Sequence, residues 1–206
     1  MSQLVNPHGG GALKPLLVPE TERSADLERA KSLPAVPMTS REVSALVMFA
    51  MGAYTPLDGF MGEADWRGCC TDMKLADGPF WPIPITLSAS REIADNINVG
   101  QDVALTDGET GDIMGVLTVS EKYTIDQKLE CTSVFRTDDA AHPGVQKVME
   151  QGEINLAGKV AALSEGHFPT TYEGLYMRPA ETRALFTEKG WSKVAAFQTR
   201  NPMHRS

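Results

Sequence analysis

Apolar residues recur at helical intervals after Thr39. Val43, Leu46, Val47, Ala50 and Met51 fall on one face. Thr39 and Glu42 stand at the spacing of a capping box, and Gly52 supplies a C-terminal stop. The pattern predicts a scaffold helix with its apolar stripe in the core. A weaker helical pattern runs over Ser24 to Ser32. Beyond residue 53 the period shortens. "DVALTD" and "IMGVLTVSEKYTI" read as strands, and "DGETGD" between them supplies hairpin-turn residues. "PFWPIPITLSAS" reads as a strand interrupted by prolines, at an edge or bulged, and "VAAL" near Val160 as a further strand. Short strands separated by Gly/Pro turns over 53–170 predict a compact, barrel-like β domain with a few helices.

The rhythm changes after Tyr172. Pro179 suits a first helical position, Lys189 a last turn and Gly190 the stop, so a helix of about three turns is expected. "KVAAF" follows as a short buried strand running into a polar loop. Helix, buried strand and polar loop together open a doubly wound α/β domain, where ligands gather at the carboxyl ends of strands. One helix and one strand cannot cover a parallel sheet on both faces. The expected class is α+β: a β-rich unit over 1–170, then the start of a truncated α/β (Rossmann-like) domain over 171–206.

Composition adds little until charge is mapped. At 206 residues with 42% hydrophobic side chains the chain can bury a core without staples. No stretch approaches a membrane span, and "MSQLVNPHGGGALKPLL" lacks a basic start followed by an apolar core, so neither a membrane association nor a signal peptide is expected. Cys69, Cys70 and Cys131 are an odd, sparse set with no zinc spacing; reduced thiols in the cytoplasm are expected. The net charge of -8 argues against a general nucleic-acid binder. Residues 171–206, however, carry a local +3 from Arg178, Arg183, Lys189, Lys193, Arg200 and Arg205 against Glu173, Glu181 and Glu188. That end repels an anion least.

The closing stretch, "QTRNPMHRS", is dense in oxyanion-holding groups. Arg200 offers a planar fork of donors, and Gln198 adds neutral amide donors. Asn201 precedes Pro202, which favours an extended or turn backbone, and His204 follows as the loop turns toward a helix. A polar loop with Arg200 in a surface ion pair explains the spacing equally well. Other stretches are weaker. "GEINLAGK" is similar to a phosphate-binding loop, but five residues separate its glycines and Val160 stands where Ser or Thr should be, so it reads as a turn before a strand. His142 in "HPGV" and His167 read as structural or surface residues. In "YTPLDGFMG", Leu57, Phe60 and Met61 read as core plugs. No Ser-His-Asp or Cys-His order stands out.

Taken together, "YTPLDGFMG", "FWPIPITL", "HPGV", "RPAETRALFTEKGW" and "QTRNPMHRS" resemble the N-terminal half of the ATP sulfurylase (sulfate adenylyltransferase) family along the whole chain. The last matches a Gln-x-Arg-Asn-Pro-x-His-Arg-x-His signature up to its second His. The resemblance implies a PUA-like β-barrel domain over 1–170, joined to an α/β nucleotidyltransferase domain that begins over 171–206. It implies synthesis of adenosine 5′-phosphosulfate and pyrophosphate from ATP and sulfate, with magnesium (Mg2+) carried on the nucleotide rather than by protein ligands. In sulfur oxidisers the reaction runs toward ATP. By the resemblance Gln198 and Arg200 hold sulfate, and Thr199, Arg200 and Asn201 line the reacting centre and the nucleotide phosphates. His204 stabilises phosphate charge in the transition state. The second signature His and a later Gly-Arg-Asp-His-Ala-Gly run are absent here, which puts autonomous catalysis by this chain in question. A homo-oligomer is expected. Two alternatives stay open: a non-catalytic binding or oligomerisation module, and an adenylyltransferase with another acceptor.

Overall fold

The computed structural model describes residues 4–198. Helix α1 (Glu20–Ala30) leads to strand β1 (Ala35–Met38) and helix α2 (Ser40–Met51). Helix α2 forms as its pattern predicts. The Glu42 N–H donates to Thr39 Oγ1, and the Thr39 N–H donates back to Glu42 Oε2 at 2.8 Å. Gly52 ends the helix in the left-handed region at φ 80°, where a Cβ would be strained. Leu46, Val47, Phe49 and Ala50 are buried. There follow β2 (Gly59–Phe60), α3 (Glu63–Asp72), β3 (Ser88–Ala89), α4 (Arg91–Asp95), β4 (Asp102–Asp107) and β5 (Ile113–Tyr123). Helix α5 (Gln127–Glu130) runs into a π-helical turn (Cys131–Phe135). Then come α6 (Pro143–Met149), β6 (Ile154–Ala162), α7 (Phe168–Thr171) and α8 (Pro179–Glu188).

One six-stranded mixed sheet organises these elements, in the order β1-β4-β5-β6-β2, with β3 also on β6. Strands β1 and β4 run parallel; every other pairing between these strands is antiparallel. The β4–β5 hairpin closes over the "DGETGD" turn, where Asp107 Oδ1 accepts from the Glu109 N–H. A main core gathers Val36, Leu46, Phe49, Phe60, Leu87, Leu105, Leu117 and Leu156 from both ends of the sheet and from α2. Leu57, Phe60 and Met61 are buried as core plugs. The N-terminal segment covers an exposed edge of β6. Val18 N–H donates to Ala162 O, and Ala162 N–H donates to Leu16 O.

Three expectations need correction. "GEINLAGK" is mostly strand, since β6 begins at Ile154. Gly158 sits in it at φ 155° because a Cβ there would stand 2.0 Å from Thr118 O, beside the irregularity in β5 around Ser120. "PFWPIPITLSAS" yields a regular strand only at Ser88–Ala89, because Pro82 and Pro84 remove the donors a ladder needs. "KVAAF" forms no strand, and Val194 and Phe197 are exposed. A short apolar segment becomes a strand only against a partner, and none of the described residues pairs with it.

Candidate anion and nucleotide site

The route to the candidate site begins where β6 ends. Glu165 lies just beyond that strand, and its carboxylate is almost wholly buried. Arg178, immediately before α8, grips it with a two-pronged fork: Nε donates to Oε1 at 2.9 Å and Nη2 to Oε2 at 2.5 Å. Tyr176 Oη donates to the same Oε1 at 3.1 Å. The arginine also starts the helix. Its N–H donates to Glu181 Oε2 at 2.6 Å, and its Nη1 reaches Glu181 Oε1 at 3.1 Å. Bonding to Glu165 therefore raises the Arg178 guanidinium above its already high range. The Arg178 N–H holds the Glu181 carboxyl below the usual carboxylate range. Tyr176 is pushed up to about 12, chiefly by burial and then by the Glu165 charge.

Pro179 takes the first helical position of α8, and Gly190 follows the helix at φ 65°. Arg183 Nη2 donates to Val5 O at 2.8 Å, tying the helix to the N-terminal strap. Trp191 folds back, its N–H donating to Phe186 O at 3.0 Å. The chain then runs out to Gln198, which is exposed and is the last described residue. The other expected site residues, Thr199, Arg200, Asn201 and His204, lie outside the described residues. Large apolar side chains cluster on the surface of this terminal segment, with Leu175 81% and Phe197 79% exposed and Tyr172, Met177, Trp191 and Val194 also open.

The weaker candidates resolve into structural roles. His142 caps α6, its Nδ1 accepting from the Gly144 N–H at 3.1 Å. His167 stacks on Phe168 with ring centroids 4.6 Å apart. A cleft of about 920 Å³ lies between α1, α2, the β4–β5 turn and the segment after β6. Asp107, Glu109 and Asp112 line it, so it suits an anion poorly. Among the described residues no group of three or more His, Cys, Asp or Glu side chains could hold a metal ion, and no helix is long and apolar enough to cross a membrane. All three cysteines are free and buried, and burial pushes Cys69 and Cys70 up to about 12. Reading the sequence missed Glu165. A lone acid before Gly166 carries no periodic signal, and its partners lie beyond it in a segment with no regular spacing to it.

A β-rich body with a basic helix-and-loop extension defines a class. Residues 5–165 match the PUA-like domain family, and the chain belongs to it. Residues 173–206 match the ATP-sulfurylase family. The chain is 58% identical over 204 residues to the sulfate adenylyltransferase of Chlorobaculum tepidum, covering 98% of this chain and 50% of that protein. It is 59% identical to that of Syntrophobacter fumaroxidans over 208 residues, all of this chain and 51% of that protein. The chain thus spans about half the length of the curated relatives it matches. Among solved structures, the hexameric APS kinase from Thiobacillus denitrificans aligns with a TM-score of 0.74 at 34% identity, over 98% of this chain and 35% of that one.

Proposed function

We propose that this chain supplies the β-rich body and the first part of the catalytic centre of a sulfate adenylyltransferase, joining ATP and sulfate into adenosine 5′-phosphosulfate and pyrophosphate. The observation that carries the reading is the agreement of the whole chain with sulfate adenylyltransferases at 58–59% identity. In the reaction a sulfate oxygen attacks the α-phosphorus. A new P–O–S link forms, the bond from the α-phosphorus to its bridging oxygen breaks, and pyrophosphate leaves with the electron pair. No protein nucleophile is required. The obstacle is bringing two anions together, so positioning and fixed donors supply the catalysis.

In this reading Gln198 and Arg200 hold sulfate, Thr199 and Asn201 face the phosphates beside Arg200, and His204 offsets charge on the phosphates in the transition state. Arg, Gln and His suit the task because a carboxylate base would repel both substrates. The nucleotide enters as its magnesium complex, with the metal bound by the phosphates. Domains over 1–170 and 171–206, a cytoplasmic location, consistent with three free thiols, and a homo-oligomer belong to the same reading. The hexameric relative supports the last of these.

The test is pyrophosphate release from magnesium ATP by the complete reading frame that carries this chain, with sulfate and with other oxyanions in parallel. Release that requires sulfate is expected. Release driven by a different acceptor would reassign the enzyme, and no release with any acceptor would leave the reading without support.

A further inference from the structure

We propose that Glu165 and Arg178 form a positioning latch that aims helix α8, and through it the chain as far as Gln198, toward the reacting anions. The proposal rests on the reading of that loop given above.

Helix α8 has no fully buried residue. Among the described residues its direction is therefore not set by apolar packing, as that of α2 is. Its described anchors are polar. The strongest is Glu165, whose carboxylate is only 6% exposed and receives the Arg178 fork and the Tyr176 hydroxyl. A two-pronged arginine–carboxylate contact fixes angle as well as distance. Glu165 is itself held by the sheet, since the Leu163 and Ser164 N–H groups both donate to Met114 O on β5. Arg178 in turn is the residue from which α8 starts, through its contacts to Glu181. The latch thus joins the rigid end of β6 to the first turn of the helix, across 13 residues of chain.

The lever is long. Ten residues of helix at 1.5 Å rise span about 15 Å, so a 10° swing at the start moves the far end by about 2.6 Å. Misplacement by about 1 Å at a reacting centre can cost roughly 10²-fold in rate. Trp191 continues the lever, because its backbone is bonded to Phe186 and its ring lies 6.0 Å from the Phe186 ring.

The variants are Glu165→Gln, which keeps the shape and removes the charge, and Arg178→Lys, which keeps the charge and removes the fork. Each is made in the complete reading frame and followed by two readouts. Hydrogen exchange over 179–190 should quicken in both variants while the sheet over 102–123 keeps its protection. Sulfate-dependent pyrophosphate release should fall in kcat by about 10- to 100-fold, and KM for sulfate should rise because Gln198, which holds sulfate in this reading, moves with the segment, with Arg178→Lys less affected than Glu165→Gln. Unchanged exchange over 179–190 in both variants overturns the latch. Quickened exchange with unchanged kcat overturns its positioning role. A parent protein that exchanges as described but shows no sulfate-dependent release refutes the functional reading, and with it the positioning role, while the exchange data still decide the latch.

Discussion

Glu42→Gln tests how the fold is held. Glu42 is 1% exposed, and its two carboxylate oxygens serve two elements. Oε2 accepts from Thr39 N–H and Thr39 Oγ1, each at 2.8 Å. Oε1 accepts from Ser88 N–H at 2.8 Å and Ser88 Oγ at 3.1 Å, so the capping-box glutamate of α2 also clasps β3. A glutamine has one acceptor oxygen. Whichever way its amide faces, the NH2 group meets one backbone N–H and one hydroxyl. The hydroxyl can turn and accept; the backbone N–H cannot. An unpaired buried donor costs about 1–3 kcal/mol. Loss of charge assistance on the remaining side adds about 1 kcal/mol, for a total of about 2–4 kcal/mol. For a chain of this size that lowers Tm by roughly 5–15 °C. Thr39→Ala removes the side-chain cap and the hydroxyl donor to Oε2 but leaves the Thr39 N–H paired with that oxygen, so it should cost about 1 kcal/mol. Urea unfolding followed by far-ultraviolet circular dichroism measures the free energies, and a thermal scan by the same signal measures Tm. A Glu42→Gln protein within about 0.5 kcal/mol of the parent, or no less stable than Thr39→Ala, would refute the argument.

Glu130 predicts a pH effect. Burial raises its carboxyl above the ordinary range, against the opposing pull of the Trp66 Nε1–H, which donates to it at 2.7 Å, and of Arg41. The folded state therefore holds this proton more tightly than the unfolded one. Its contribution falls as pH climbs from the unfolded carboxyl value through the folded one, then levels off. Glu130→Gln keeps an acceptor for Trp66, so its stability relative to the parent should rise as pH climbs above the ordinary carboxyl range and then level off; parallel stability curves would contradict this. Gly158→Ala should destabilise by more than about 2 kcal/mol, because the new methyl meets the Thr118 carbonyl. A melting temperature equal to the parent's would show that the strand yields there.

How much of this was legible in the sequence depended on the range of the signal. Helix α2 was readable because periodicity, cap and stop all lie within its own residues. The hairpin of β4 and β5 was readable because its turn carries its own chemistry. Helix α8 was readable from Pro179 and Gly190. Strand β6 was misjudged at its start because Gly152 and Gly158 mimic a turn, whereas the close approach of β5 demands the second glycine. Helix α3 escaped notice because it buries Trp66, Cys69 and Cys70 but lacks a regular apolar stripe. The second role of Glu42 depends on Ser88, 46 residues away. Glu165 depends likewise on Tyr176 and Arg178, and no local pattern announces either pairing. The chemistry of Gln198 to His204 was legible only as residue types suited to anions, and it gained direction from family likeness.

The account turns on Arg200 as the group that seats sulfate against the nucleotide. The direct measurement is sulfate-dependent pyrophosphate release by Arg200→Ala in the complete reading frame, with circular dichroism confirming the fold. Loss of at least about 10²-fold in turnover with an unchanged melting temperature is the predicted result. A folded Arg200→Ala protein that still makes adenosine phosphosulfate at the parent's rate would contradict the account.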